Sequence, residues 1–184
     1  MATATETKSN FFDAALDVLS EKGYGGLKQS ELCQRLGLTT GAFYHSFESW
    51  RDFTDQLLAS WHEERTTQLA NLARDVPDPL QRFEVLIGIA IKLPHRAEAA
   101  IRVWSNIDER VRAVQASVDE DRFTVIAEAM SLIVPDEDEA AAFAKIGMYL
   151  LVGFEQSEDG TDTSSMEWGL REILEVAKRR HEAG

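Results

Sequence analysis

The period of its apolar residues limits most what this chain can become. They recur at three- and four-residue steps nearly from end to end, and no stretch alternates strictly for long enough to make a strand. Such a chain folds as an all-α protein. Helix breakers then cut it into about nine helices: Gly23-Tyr24-Gly25-Gly26, Gly37, Val76-Pro77-Asp78-Pro79, Pro94, Asn106-Ile107-Asp108, Pro135-Asp136, and the run from Glu158 to Asp162. The expected helices cover about 9–22, 29–36, 40–47, 49–75, 80–93, 95–106, 108–133, 136–156 and 164–181. Ser49 with Asp52 has the spacing of a capping box and opens the fourth, a rod of roughly 35–40 Å that can join two parts of a molecule. Over 108–133, Val111, Val114, Val118, Val125 and Leu132 are expected to share one buried stripe.

At 184 residues, 44% of them hydrophobic and 28% charged, the chain has the composition of a soluble globular protein with a real core. Its one cysteine, Cys33, forms no intramolecular disulfide, and the opening MATATETKSN lacks the pattern of a signal peptide. The most apolar run, residues 85–91, is too short to span a bilayer. A cytoplasmic protein with no membrane partner is expected. Catalysis finds no support: the histidines His45, His62, His95 and His181 are far apart, and no metal-ligand spacing, Gly-rich phosphate loop or nucleophile elbow is present. No enzyme activity, cofactor or metal is therefore expected.

The segment GLTTGAFYHSF, residues 37–47, has a different character. Thr39 is a good N-cap for a helix of about eight residues, which must be held by its neighbours because isolated helices of that length are marginal in water. Phe43 and Phe47, one turn apart, supply the packed face. Thr40, Gly41, Tyr44 and His45 lie opposite and offer hydroxyls, an imidazole and a backbone position open to close approach. After the helix over 29–36 and a turn at Gly37, this is a helix-turn-helix arrangement, whose second helix enters the DNA major groove. A helical hairpin that merely packs has the same spacing. The net charge of −13 disfavours nucleic acid, yet the first fifty residues hold four basic and six acidic side chains, so most of the acidity lies beyond them.

The stretch GGLKQSELCQRLGLTTGAFYHSFESWRDF, following a first helix at the N-terminus, resembles the DNA-binding domain of the TetR family of transcriptional regulators. The match covers about residues 9–57. It is most specific in LGLTTGAFYHSF, which is similar to the family pattern Gly-hydrophobic-Ser/Thr-x-Gly-x-hydrophobic-Tyr-x-x-Phe. The resemblance implies a DNA-binding domain over 1–52 and a ligand-binding and dimerisation domain over 53–184. It places Tyr44, Lys28, Gln29 and Ser30 on the phosphate backbone and Thr40, Gly41 and His45 at base edges, and counts the capping Thr39 among the DNA-binding residues. Lys28 and Trp50 stand where the family usually has a Ser or Thr and a Lys; Arg51 is the candidate for the missing phosphate contact.

The resemblance also implies a homodimer on a palindromic operator, joined by its last two long helices, with repression modulated by a small-molecule effector. Ala140, Ala141, Ala142, Phe143, Ala144, Ile146, Tyr149 and Leu150, then Trp168, Leu170, Ile173, Leu174 and Ala177, fit such an interface. The family's middle helices enclose a pocket. Trp61, Trp104, Phe123 and Phe143 are large aromatics on helices able to line it. Arg122, beside the apolar stripe, either meets a neighbouring carboxylate or greets an anionic ligand; Arg102 and His62 are candidates of the same kind. The alternative function is a helical ligand- or partner-binding homodimer that has lost sequence-specific DNA binding.

Overall fold

Side-chain caps open four of the helices, and a left-handed glycine closes one. In the computed structural model, which describes residues 4–157 and 162–183, the elements run α1 (Ala4–Gly26), α2 (Gln29–Leu36), α3 (Thr40–Ser46), α4 (Trp50–His62), a π-helical turn (Glu63–Thr67), α5 (Gln68–Arg74), α6 (Pro79–Ala90), α7 (His95–Ser105), α8 (Glu109–Ser131), α9 (Glu137–Glu155) and α10 (Ser164–Ala183). The rod expected over 49–75 is α4, the π turn and α5 in unbroken succession, so the described residues form nine continuous helical rods. Of the run expected to separate the last two helices, residues 158–161 lie outside the described residues.

The caps act as their residue types dictate. Thr39 accepts from the Ala42 N–H, Ser49 from Asp52, Asp78 from Gln81 and Asp136 from Glu139, each meeting a donor the helix leaves free. Asp52 in turn accepts from the Glu48 N–H at 2.9 Å, and this bond and one from Gln56 hold its carboxyl below the usual range. Gly37 closes α2 at φ 63°, ψ 27°, a conformation that costs an L side chain roughly 1 kcal/mol. Gly23 takes the same φ, and the helical path kinks there instead of stopping at Lys22 as expected.

The described residues group into two compact units. The first runs to Glu63 and includes Arg96–Gln115. Its core is aromatic: Phe11, Phe43, Phe47 and Phe53 are essentially inaccessible, with ring centroids 5.0–5.6 Å apart and mostly edge to face. The unit reaches past residue 52 because Phe53, Leu57 and Trp61 on α4 bury into it. The Trp61 indole N–H donates to the buried Glu98 carboxylate at 2.9 Å, and Trp104 stacks on Tyr24 at 4.7 Å.

The second unit comprises Glu64–His95 and the chain from Ala116 onward. Phe83, Ile87, Met130, Ile133, Leu151, Leu170 and Leu174 belong to its buried cluster. On α8, Val111, Val118 and Val125 are buried and Val114 is half-buried, but Leu132, in the turn after Ser131, is 47% exposed, contrary to expectation. Leu132 follows the last residue of α8, so helical phase no longer sets its direction, and Ile133 and Val134 in the turn take the buried places. No described helix is long and apolar enough to cross a membrane.

Phe43→Ala removes the centre of the aromatic cluster and should cost about 3–5 kcal/mol of stability. Urea unfolding monitored by circular dichroism measures it; a loss below about 1 kcal/mol would contradict the packing described here.

Candidate functional site

The seven residues of α3 are divided between two environments. Phe43 and Phe47 are 0% and 2% exposed, whereas Thr40, Gly41, Tyr44 and His45 are open to solvent. The Tyr44 ring meets Phe43 edge to face at 5.5 Å, while the residue stays 54% exposed. Thr39 spends its hydroxyl on the cap. A Cβ built on Gly41 meets nothing nearer than the Thr39 hydroxyl at 3.6 Å, so packing within the protein does not call for a glycine there.

The neighbouring cations differ in availability. Lys28 is exposed at the extended N-cap of α2 and makes no side-chain capping bond. Ser30 is exposed, and Gln29 is half-buried with its amide nitrogen lacking a partner. Arg51 is exposed, 3.8 Å from Asp55. Arg35 is bound to Glu21 at 2.6 Å and Glu31 at 2.9 Å, and Lys22 also reaches Glu31 at 2.9 Å. These hydrogen bonds draw both glutamates below their ordinary carboxylate range. Lys8 donates to Gln56 and sits over the Phe47 ring. Trp50 lies 5.0 Å from Phe53 and 6.0 Å from Phe43, so it extends the aromatic cluster. Cys33 is buried where α2 meets α3, and burial pushes its thiol up, which disfavours the nucleophilic thiolate.

Within the second unit, a cavity of about 70 Å³ is walled by α5, α6 and the later part of α8, with Gly147, Leu151 and Leu170 contributing from α9 and α10. Arg65 and Thr66 of the π turn and Arg122 of α8 are its polar lining residues. A groove of about 420 Å³ shares Arg65, Leu69, Ile89 and Leu93 with it and adds Lys92. Arg122 donates to the Arg65 carbonyl at 3.4 Å. The Thr66 hydroxyl and the Arg65 Nε are buried without a hydrogen-bond partner, each at a cost of about 1–3 kcal/mol if left unmet.

Of the residues expected around a ligand, Arg122 lines this cavity. Trp61, His62, Arg102 and Trp104 stand in the first unit, and Phe123 and Phe143 are half-buried outside the lining. Arg65 and Thr66 escape sequence reading because Glu63-Glu64-Arg65-Thr66-Thr67 looks like the polar side of a straight rod. The π turn inserts an extra residue and shifts the register.

The surface expected to pair protomers is also divided. Ala140, Ala144, Leu170, Ile173, Leu174 and Ala177 are buried within one chain, while Ile146, Tyr149 and Trp168 are 46%, 70% and 68% exposed.

The family model for bacterial regulatory proteins of the tetR family matches residues 11–56, which span α2, α3 and their flanks. No curated protein matches the chain. Solved structures do. A TetR-family transcriptional regulator from Agrobacterium tumefaciens is 20% identical, with a TM-score of 0.73 over 95% of this chain and 98% of that one. A transcriptional regulator from Rhodococcus sp. Rha1 is 17% identical, with a TM-score of 0.75 over 94% and 96%. A Saccharomonospora viridis protein in complex with choline is 15% identical, with a TM-score of 0.77 over 93% and 96%. At such identities the structural likeness establishes the fold: residues 11–56 match the tetR-family model, and the chain as a whole has the fold of these solved structures.

Proposed function

We propose that this regulator is a homodimeric repressor that reads a palindromic operator through α3 and changes its hold on DNA when a small molecule enters the second unit. In this assignment residues 1–52 read DNA, and residues 53–184 bind the effector and dimerise. The carrying observation is the divided character of α3: an immobile aromatic face behind, and Thr40, Gly41, Tyr44 and His45 in front. Thr40, Gly41 and His45 address base edges; Tyr44, Lys28, Gln29, Ser30 and Arg51 address phosphates. Ile146, Tyr149 and Trp168 are the residues with which α9 and α10 meet a second copy, a two-fold partner that palindromic half-sites demand. The S. viridis protein of the same fold holds choline, which supports small-molecule sensing. The effector binds better to the conformer whose two heads are wrongly spaced for successive major grooves, and so shifts the population.

One observation favours the alternative, a ligand- or partner-binding dimer without DNA recognition. Trp50 is absorbed into the aromatic cluster and Arg35 into ion pairs, which leaves the head few cations for phosphate. In-vitro selection from a random duplex pool with the purified protein separates the two. Recovery of a palindrome supports the repressor; recovery of nothing, with and without candidate effectors, supports the alternative.

On the selected site, Tyr44→Ala or His45→Ala should each weaken binding by about 1–3 kcal/mol. Gly41→Ala should leave stability unchanged or raise it by about 0.5–1 kcal/mol, since alanine suits a helix better, while weakening operator binding. Equal operator affinity for this variant would remove Gly41 from the interface. With Lys28 and Arg51 as the cations of each head, log K against log salt should slope at about −4 for the dimer. A flat response would refute phosphate contact. The double variant Tyr149→Glu with Trp168→Glu should sediment as a monomer; an unchanged dimer would move the interface elsewhere.

A further inference from the structure

Resting on the ligand-sensing function proposed above, we infer that the second-unit pocket takes an amphipathic organic monoanion: a carboxylate on a compact apolar body. Its head is held at Arg65 and Thr66, and its body fills the chamber beside Phe83 and Leu151.

Three observations converge on that chemistry. Charge is the first: the chain has 32 acidic against 19 basic side chains, yet the described lining of chamber and groove includes Arg65, Lys92 and Arg122 and no carboxylate. With Arg122 already engaged by the Arg65 carbonyl, Arg65 and Lys92 carry the positive sign of the wall, which favours anions over cations. Unmet hydrogen bonding is the second. Thr66 is only 3% exposed, and its hydroxyl and the Arg65 Nε are both buried without a partner. A hydroxyl and a guanidinium N–H together match the two oxygens of a carboxylate, and bonds to an ionised acceptor are the stronger kind. The third is shape. Arg65 lines both the apolar chamber and the wider groove, so a head bound there directs its apolar body into the chamber and leaves the groove, with Lys92, for any further substituent.

The same features argue against a quaternary ammonium such as the choline found in the S. viridis protein. Ligands of that kind are held against several aromatic faces, and Phe83 is the one aromatic ring among the described lining residues.

The test uses the full-length protein and a matched panel: octanoate, 4-phenylbutanoate, octanol, octyltrimethylammonium and choline. Thermal shift and titration calorimetry read binding. The two carboxylates should raise the melting temperature, octanol should bind at least about tenfold more weakly than octanoate, and the two cations should produce no shift. Thr66→Val and Arg65→Met should abolish the preference of octanoate over octanol. Thr66→Val should do so with the ligand-free melting temperature unchanged or raised, because it deletes a buried hydroxyl that lacks a partner. Equal affinity for octanol and octanoate, binding of the cations alone, absence of any carboxylate effect, or a preference that survives in Thr66→Val would each overturn the inference. Operator binding measured on the same panel keeps the two claims apart. Carboxylates that bind without changing operator affinity would refute the effector coupling and leave the pocket chemistry standing. Release of operator by octyltrimethylammonium but by no carboxylate would do the reverse.

Discussion

Everything that makes the first unit usable depends on the packing of Phe43 against Phe11, Phe47 and Phe53. A seven-residue helix has too few internal hydrogen bonds to persist in water, so α3 depends on Phe43 and on its C-cap Phe47, both locked into an aromatic cluster. Rings in edge-to-face contact add about 0.5–1.5 kcal/mol per pair beyond their buried area, and they fix orientation as well as position. Tyr44 shows the consequence. Its ring leans on Phe43 while more than half of the side chain stays exposed, a rigid presentation of a polar group. Trp50 extends the same cluster, which gives a structural reason for an indole at that position.

Charge in the head is used mostly for internal cohesion. Arg35 ties α2 to α1 through Glu21 and Glu31, and Lys8 ties α1 to α4 through Gln56. Exposed pairs of this kind contribute little stability each, but they engage cations that would otherwise be free at the surface. What the head leaves exposed is the outward face of α3, with Lys28 and Arg51 as exposed cations nearby.

The second unit solves a different problem, how to keep polar groups beside an apolar chamber. A π turn interrupts the rod of α4 and α5 and puts Arg65 and Thr66 at the wall. Such turns cost helix stability and recur at functional sites, where an extra residue re-aims side chains. Here the re-aimed groups include a buried hydroxyl and a buried guanidinium N–H that lack protein partners. The Arg65 carbonyl also receives the guanidinium of Arg122, so the turn anchors the charge it stands beside.

Much of this was legible in the order of the residues, for a local reason. Helix periods, the capping oxygens of Thr39, Ser49, Asp78 and Asp136, and the left-handed turn at Gly37 are decided within four or five positions, where near neighbours choose among few conformations. The outward set Thr40, Gly41, Tyr44 and His45 followed from helical phase once Phe43 and Phe47 were assigned inward. Tertiary packing decided the rest. The burial of Trp61 depends on Glu98, 37 positions away, and the stack of Trp104 depends on Tyr24, so neither aromatic was free to line a cavity. Leu132 left its stripe because α8 ends one residue before it, at Ser131. The π turn, and with it the placing of Arg65 and Thr66, leaves no periodic mark, because one inserted residue changes phase only for the side chains beyond it. Local hydrogen bonding thus determined the elements, whereas the choice of which faces meet, and which polar groups are left facing a cavity, required the whole chain to be packed.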